Sequence, residues 1–191
     1  MGKLLIFSAP SGSGKTTIVK EVLRNVPNLE FSISACSREP RKGEIHGKDY
    51  YFFGIDEFIR KIDGDEFVEY EEVYHNQYYG TLRNELDRIW ENGNHVVFDV
   101  DVIGGLNIKK QFPEKSLSIF IKPPSIEELK KRLINRGTET DEQIAKRIQK
   151  AEYELGFADQ FDTIILNKDL KFAVEETIKQ VNEFLILEIK N

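Results

Sequence analysis

The sequence predicts an α/β protein: a parallel sheet flanked by helices, with a β-rich and a helical segment inserted into it. Three observations carry that expectation. Short apolar runs of strand length alternate with amphipathic stretches of helix length, the pattern of a parallel sheet with crossover helices. The first apolar run, "LLIF", leads directly into the glycine-rich turn "SAPSGSGKTT" at residues 8–17. Two stretches, near 34–82 and 125–158, break the alternation.

Taken in order, "KLLIFSA" reads as a buried strand. "TTIVKEVLRNV" places Ile18, Val22 and Val26 at helical spacing. Residues 31–82 are crowded with tyrosine and phenylalanine, and short β-strands joined by polar turns explain them best. "RNELDRIWENG" reads as a helix closed by Gly93. "HVVFDVD" is a second buried strand, ending in the carboxylates of Asp99 and Asp101. "SLSIFIKPP" is a third, stopped by Pro123 and Pro124, and "TIILN" at 163–167 is a fourth. Between these last two, Ser125 with Glu128 makes a capping box ahead of Ile126, Leu129 and Leu133, with Gly137 as the stop. Thr140 with Gln143 makes a second box, followed by Ile144, Ile148, Ala151 and Leu155. A final amphipathic helix covers about 171–188.

The turn after the first strand carries chemistry. From Ala9 to Thr16 it reads A-x-x-x-x-G-K-T, a phosphate-binding loop with alanine in the first place. Gly12 and Gly14 allow backbone conformations that let successive N–H groups face an anion, and the helix beginning near Lys15 adds its positive end. Lys15 is placed to reach the terminal phosphates and the Thr16 hydroxyl to ligate Mg²⁺. A Ser/Gly turn that merely precedes a lysine is the bland alternative. A strand before it and a helix after it argue against that. The loop implies a nucleoside triphosphate and leaves the acceptor open.

Composition removes several function classes. A chain of 191 residues is one domain, or one domain with insertions. The longest apolar runs, "LLIF" and "FLIL", are too short to span a bilayer, and no signal-peptide pattern opens the chain. The lone cysteine, Cys36, cannot form an internal disulfide, which suits a cytoplasmic protein. His46, His75 and His95 lack partners at metal-ligand spacing, so structural zinc is not expected. A net charge of −6 argues against bulk nucleic-acid binding, which needs a basic face. Small molecules are the expected partners, and a homo-oligomer is left open.

The β-rich insertion holds a second set of residues. Arg38 and Arg41 flank a proline turn, where two guanidinium groups can clamp another phosphate. Tyr50 can add a neutral donor. Glu69 lies in "FVEYEEV" and Tyr79 in "YYGT". A carboxylate suits two parallel N–H donors, which guanine offers on its N1 and N2 edge and adenine does not. The alternative is a solvated charged loop with tyrosines in the core. Residues alone stop at a kinase-like enzyme with a second anion site.

In order and spacing, "SAPSGSGKTT", "SREPRKGEIHGKDYYF", "FVEYEEVYHNQYYGT", "VVFDVDVIGG", "IFIKPPS" and "LINRGTETDEQIAKRI" resemble the guanylate kinases from residue 4 to about 170. The resemblance implies phosphoryl transfer from ATP to GMP, and to dGMP, with Mg²⁺, in purine nucleotide metabolism. It also implies a P-loop core at 1–33, 89–124 and 159–191, a GMP-binding insertion at 34–88 and a helical lid at 125–158. Closure over both substrates is expected to expel water.

Position by position, the resemblance implies that Ser34 and Glu69 hold guanine, with Gly80, Thr81, Asp99 and Asp101 beside them. Arg38, Arg41, Tyr50 and Tyr79 hold the GMP phosphate. Ala9, Pro10, Ser11, Gly12, Ser13, Gly14 and Thr17 wrap the ATP phosphates, and Asn167 lies near adenine. Lys15, Arg41, Arg136 and Arg147 form the cationic shell of transfer. Thr16, and Asp101 through water, organise Mg²⁺. Four positions depart from the family: Ala9 replaces glycine, Cys36 and Ser37 replace two threonines, and Ile103 replaces glutamine. Two alternatives remain to compare with it. A kinase for AMP or a pyrimidine nucleotide is opposed by Glu69 with Ser34. A non-catalytic domain binding phosphorylated peptides is opposed by the intact Gly14, Lys15 and Thr16.

Overall fold

The computed structural model describes residues 2–136 and 140–187. In chain order the strands and helices begin with β1 (Leu4–Ser8), α1 (Lys15–Asn25), β2 (Leu29–Phe31), β3 (Ala35–Cys36) and β4 (Tyr51–Phe52). They continue with α2 (Ile55–Asp63), β5 (Phe67–Tyr74), β6 (Gln77–Leu82), α3 (Arg83–Glu91) and β7 (His95–Asp99). The chain closes with α4 (Val102–Gln111), β8 (Ser116–Lys122), α5 (Ile126–Arg136), α6 (Asp141–Leu155), β9 (Thr163–Leu166) and α7 (Leu170–Ile186).

One sheet has five strands in the order β2-β7-β1-β8-β9. Its registered pairs are parallel: Ile6 lies opposite Ser118, Phe120 opposite Ile164, and Glu30 opposite Val96. All five residues of β1 are buried, which is why this strand reads as an unbroken apolar run rather than an alternating one. The other sheet runs β4-β3-β6-β5, mostly antiparallel, around a hairpin that turns at Asn76 in a left-handed conformation.

Residues 28–97 form one compact unit, and residues 3–27 with 98–187 another. The first has a core of Ala35, Phe58, Phe67 and Leu82, with the Phe58 and Phe67 rings stacked at 4.5 Å. The second packs Leu129 and Leu133 of α5 against Ile144 and Ala151 of α6. The apolar stripes read from the sequence at 126–133 and 144–151 are therefore the seam of a helical hairpin, while Leu155 packs with Phe120 and Phe161 instead.

Three features correct the sequence reading. The stretch 31–82 is not all strand: α2 lies inside it, bounded by Gly54 and Gly64. Ile55, Phe58, Ile59 and Ile62 have helical spacing, which the surrounding aromatics obscured, and the fully buried Phe58 contributes about 1.5–3 kcal/mol by leaving water. The strand of "HVVFDVD" stops at Asp99, and Asp101 instead caps α4 by accepting from Gly104 N. Gly104 and Gly105 in its first turns lower helix propensity and hide α4 from the sequence pattern. Of the two capping boxes, Thr140 with Gln143 forms both bonds. Ser125 accepts from Glu128 N, while the Glu128 carboxylate takes Arg132. Gly137, given as the stop of α5, lies outside the described residues, as do Thr138, Glu139 and Glu188.

Candidate functional site

The unit containing β1 builds its site mainly from backbone. Gly12 and Gly14 both sit at φ 92°, in the left-handed region that side chains disfavour. A Cβ at Gly12 would stand 3.1 Å from Leu129 Cδ1 and 3.2 Å from Leu133 Cδ2, so the loop lies directly against α5. A Cβ at Gly14 would collide with Asn167 Nδ2. That amide donates to Ser13 O at 2.6 Å, and Asn167 is buried. Asn167 is thereby a brace of the loop, and Arg132 of α5 in turn donates to Asn167 O at 3.1 Å.

Gly14 is the N-cap of α1, and no side chain caps the helix there. The first turn consequently presents its positive end with an exposed Thr16 and Thr17 beside it. Lys15 pairs with Asp99 at the end of β7 and donates to Val100 O at 3.2 Å. Ser8 fixes that neighbourhood by donating to Val100 O and Asp101 O, each at 3.0 Å. Gly105 permits the approach, since a Cβ there would be 2.7 Å from Ser8 Oγ. Arg147 of α6 reaches the loop, donating to Ser11 Oγ at 2.5 Å. Arg136 ends α5, but its side chain lies outside the described residues. Glu154, buried on α6, has its carboxyl pushed up by burial, while the charges of Lys150, Lys15 and Asp101 also act on it.

The other unit builds its site from side chains. Glu69 and Thr81 are register partners on β5 and β6, and Thr81 Oγ1 donates to Glu69 Oε1 at 2.8 Å. Both are buried, so this carboxylate is held inside the sheet rather than in a solvated loop. Gly80 is required between them: a Cβ there would be 2.6 Å from Glu69 O. Ser34 precedes β3 and accepts from Tyr51 N at 2.9 Å through its carbonyl.

Arg38 is tightly held. Its two terminal nitrogens donate to Glu44 at 2.6 and 2.8 Å, and its Nε donates to Tyr79 Oη at 3.2 Å. The guanidinium also lies 5.1 Å from the centre of the Tyr50 ring, which meets Tyr79 edge-on at 6.0 Å. Hydrogen bonds from Arg38, followed by one from Arg41 N, pull the Glu44 carboxyl down to about 2. The two arginines thus differ: Arg38 is engaged by a bidentate carboxylate, whereas Arg41 contacts Glu44 through its backbone and is exposed.

The departures have structural places. Cys36 is buried, and burial pushes its thiol up. The Ser37 hydroxyl accepts from Tyr78 N at 2.9 Å and donates to Asn76 O at 3.2 Å, stitching β3 to the hairpin. Ile103 packs against the apolar cluster of Val102, Phe120, Ala158 and Phe161. Ala9 is buried behind β1. The sequence reading missed Glu44, Glu85, Gly105 and Arg132. Only the paired glycines after the strand-end carboxylates gave a local signal of close packing. The partners of Glu85 and Arg132 lie up to 52 and 35 residues away.

Against known proteins, the sequence model described as guanylate kinase matches residues 1–188. The guanylate kinase of Bacteroides thetaiotaomicron is 56% identical over 184 residues, covering 96% of this chain and 90% of the relative. That of Porphyromonas gingivalis is 50% identical over 186 residues, covering 97% and 99%. The crystal structure of guanylate kinase from Anaplasma phagocytophilum superposes with a TM-score of 0.77 at 28% identity, covering 98% of this chain and 88% of that one.

Proposed function

The chain belongs to the guanylate kinase family, and on that premise we propose how its residues carry phosphoryl transfer from ATP to GMP, giving ADP and GDP. The P-loop backbone at Ala9–Thr16 cradles the ATP phosphates with Lys15 on the terminal groups. Arg136 and Arg147 add positive charge, and Asn167 borders the adenine side. Arg41 and Arg38, with Tyr50 and Tyr79, hold the GMP phosphate; Glu69, Thr81 and Ser34 read its base. Asp99 and Asp101 complete that set. The reaction needs positioning and neutralised charge on the equatorial oxygens more than covalent chemistry, so no general base is assigned. The division into core 1–33, 89–124 and 159–191, insertion 34–88 and lid 125–158 belongs to the same reading, as does dGMP as a second acceptor.

The donor set fits Mg²⁺. Among the described residues no group of three or more His, Cys, Asp or Glu could hold a metal ion, and one Asp101 oxygen is occupied by Gly104 N at 2.9 Å. Such a site suits a cation that keeps its water and takes phosphate oxygens, with Thr16 as direct ligand and Asp101 acting through water. When bound, Mg²⁺ neutralises developing phosphate charge. No helix among the described residues is long and apolar enough to cross a membrane. We place the enzyme in the cytoplasm, where a lone buried thiol persists reduced.

The observation that carries this reading is the uncapped start of α1 behind two left-handed glycines. The test is ADP release with ATP, Mg²⁺ and GMP, AMP or UMP in turn. Turnover with GMP alone is expected. Turnover with AMP or UMP but not GMP overturns the assignment of the base site, and absence of turnover with any of them favours a binding module.

A further inference from the structure

Glu85 lies on α3, outside every residue assigned above, and is 1% exposed. A carboxylate that deep needs several donors, and it has four. Its Oε1 accepts from Ile33 N at 2.9 Å and from Arg88 at 2.7 Å. Its Oε2 accepts from Tyr51 Oη at 2.9 Å and from Arg88 Nε at 3.1 Å. Arg88 is shared with Glu30, which also takes Asn94 Nδ2 at 2.9 Å.

These bonds close a ring around Ser34. Glu85 holds the amide of Ile33, the preceding residue; Tyr51 N holds the carbonyl of Ser34 at 2.9 Å; and the hydroxyl of that same Tyr51 returns to Glu85. Tyr51 also follows Tyr50 in the chain, and α3 follows directly on β6, which carries Tyr79, Gly80 and Thr81. One buried carboxylate therefore fixes the main chain beside both the base-reading and the phosphate-holding residues. Burying a charged pair adds little net stability compared with apolar packing of similar volume. Orientation is what such a group adds.

We propose that Glu85 is a positioning residue for the acceptor nucleotide, holding Ser34 and Tyr50 in register for GMP without touching it. The proposal rests on the GMP-site reading above. Its loss raises the KM for GMP while leaving the ATP side of the enzyme intact.

Three variants decide it, each assayed for kcat and for KM with GMP and with ATP. Tyr51→Phe removes one hydroxyl from the ring and keeps its packing. It is expected to raise the KM for GMP about three- to tenfold, the worth of one hydrogen bond, with kcat and the KM for ATP within about twofold. Glu85→Gln is expected to raise it further in the same direction, since Arg88 and one other donor lose an acceptor. Ser34→Ala is the reference for the site itself. If Ser34→Ala raises the KM for GMP while Tyr51→Phe leaves it unchanged, the positioning role is wrong and the site reading stands. Should Ser34→Ala also leave it unchanged, both fall. A uniform loss of kcat with neither KM altered makes Glu85 merely structural and overturns the proposal. If Glu85→Gln does not fold, Tyr51→Phe alone carries the decision.

Discussion

Around Gly12–Thr16 the polar groups open to a ligand are main-chain amides set by two left-handed glycines, whereas around Arg38–Glu69 they are side chains held by other side chains. In the first region the turn itself is set locally by Gly12 and Gly14, and Asn167, 154 residues away in the chain, braces it through Ser13 O. In the second, Arg38 and Glu69 are each held by a side chain close by in sequence, Glu44 for Arg38 and Thr81 for Glu69. The difference teaches what each site can recognise. Backbone amides bind phosphate without regard to the base attached to it. Oriented side chains distinguish one base from another, because a mismatched nucleotide leaves a buried polar group unpaired.

The largest effect that contrast implies is at Lys15, the cationic side chain in the backbone-built loop itself. Lys15→Ala should lower turnover by roughly a thousandfold or more, the scale of removing a preorganised charge from a phosphoryl-transfer site. Circular dichroism should show a folded variant. Near-normal turnover would mean the loop binds without contributing to transfer.

Arg147 sharpens the contrast at intermediate size. It reaches Ser11 in the loop's own unit, so Arg147→Ala should cost turnover on the order of ten- to a hundredfold. GMP binding to the free enzyme, measured by calorimetry, should stay unchanged. Equal losses in both quantities would move Arg147 to the side-chain-built region.

The smallest effect is an acid titration of Glu44. Its carboxyl is lowered in the folded protein from 4.5 to about 2 by Arg38. A lowered carboxyl contributes stability that is present above its unfolded value and is lost as pH falls through the folded one. The stability that the Arg38 pair contributes should therefore be full above about pH 4.5 and be lost as pH falls toward 2, while the pair itself persists in the folded protein until near that value. Carbon-detected NMR of the Glu44 carboxyl should find a midpoint near 2. A midpoint near 4.5 would show Arg38 unrestrained, and the two regions would differ less than their geometry says.

The same contrast explains how much was legible in the sequence. The loop was readable because ten consecutive residues specify it, and strand and helix on either side supply its context. The parallel sheet was readable because β1, β7 and β8 each carry a short, mostly buried apolar run, LLIF, VVF and IFI. Helix α2 was hidden by the aromatic residues around it, and α4 by its glycine pair. Asp101 looked like a strand end, since a carboxylate two residues past an apolar run fits a helix cap equally well. Arg38 and Glu69 emerged as types in a pattern, but Glu44 and Glu85 did not. What makes them informative is the set of donors around each, and for Glu85 two of those donors, Ile33 N and Tyr51 Oη, come from segments brought beside α3 only by folding.

The central claim is that Glu69 reads the N1 and N2 protons of guanine. The most direct measurement compares wild type and Glu69→Gln, with GMP and with IMP, which lacks the N2 amine, under saturating ATP. Two charge-assisted hydrogen bonds are at stake, each contributing about 1.5–3 kcal/mol. The substitution should lower kcat/KM for GMP by roughly a hundredfold or more, at about 1.4 kcal/mol per tenfold. IMP should be the poorer substrate of the wild type and lose distinctly less on substitution. Equal proportional losses for the two nucleotides would contradict the claim and move guanine selectivity to Ser34, Thr81 or Asp101.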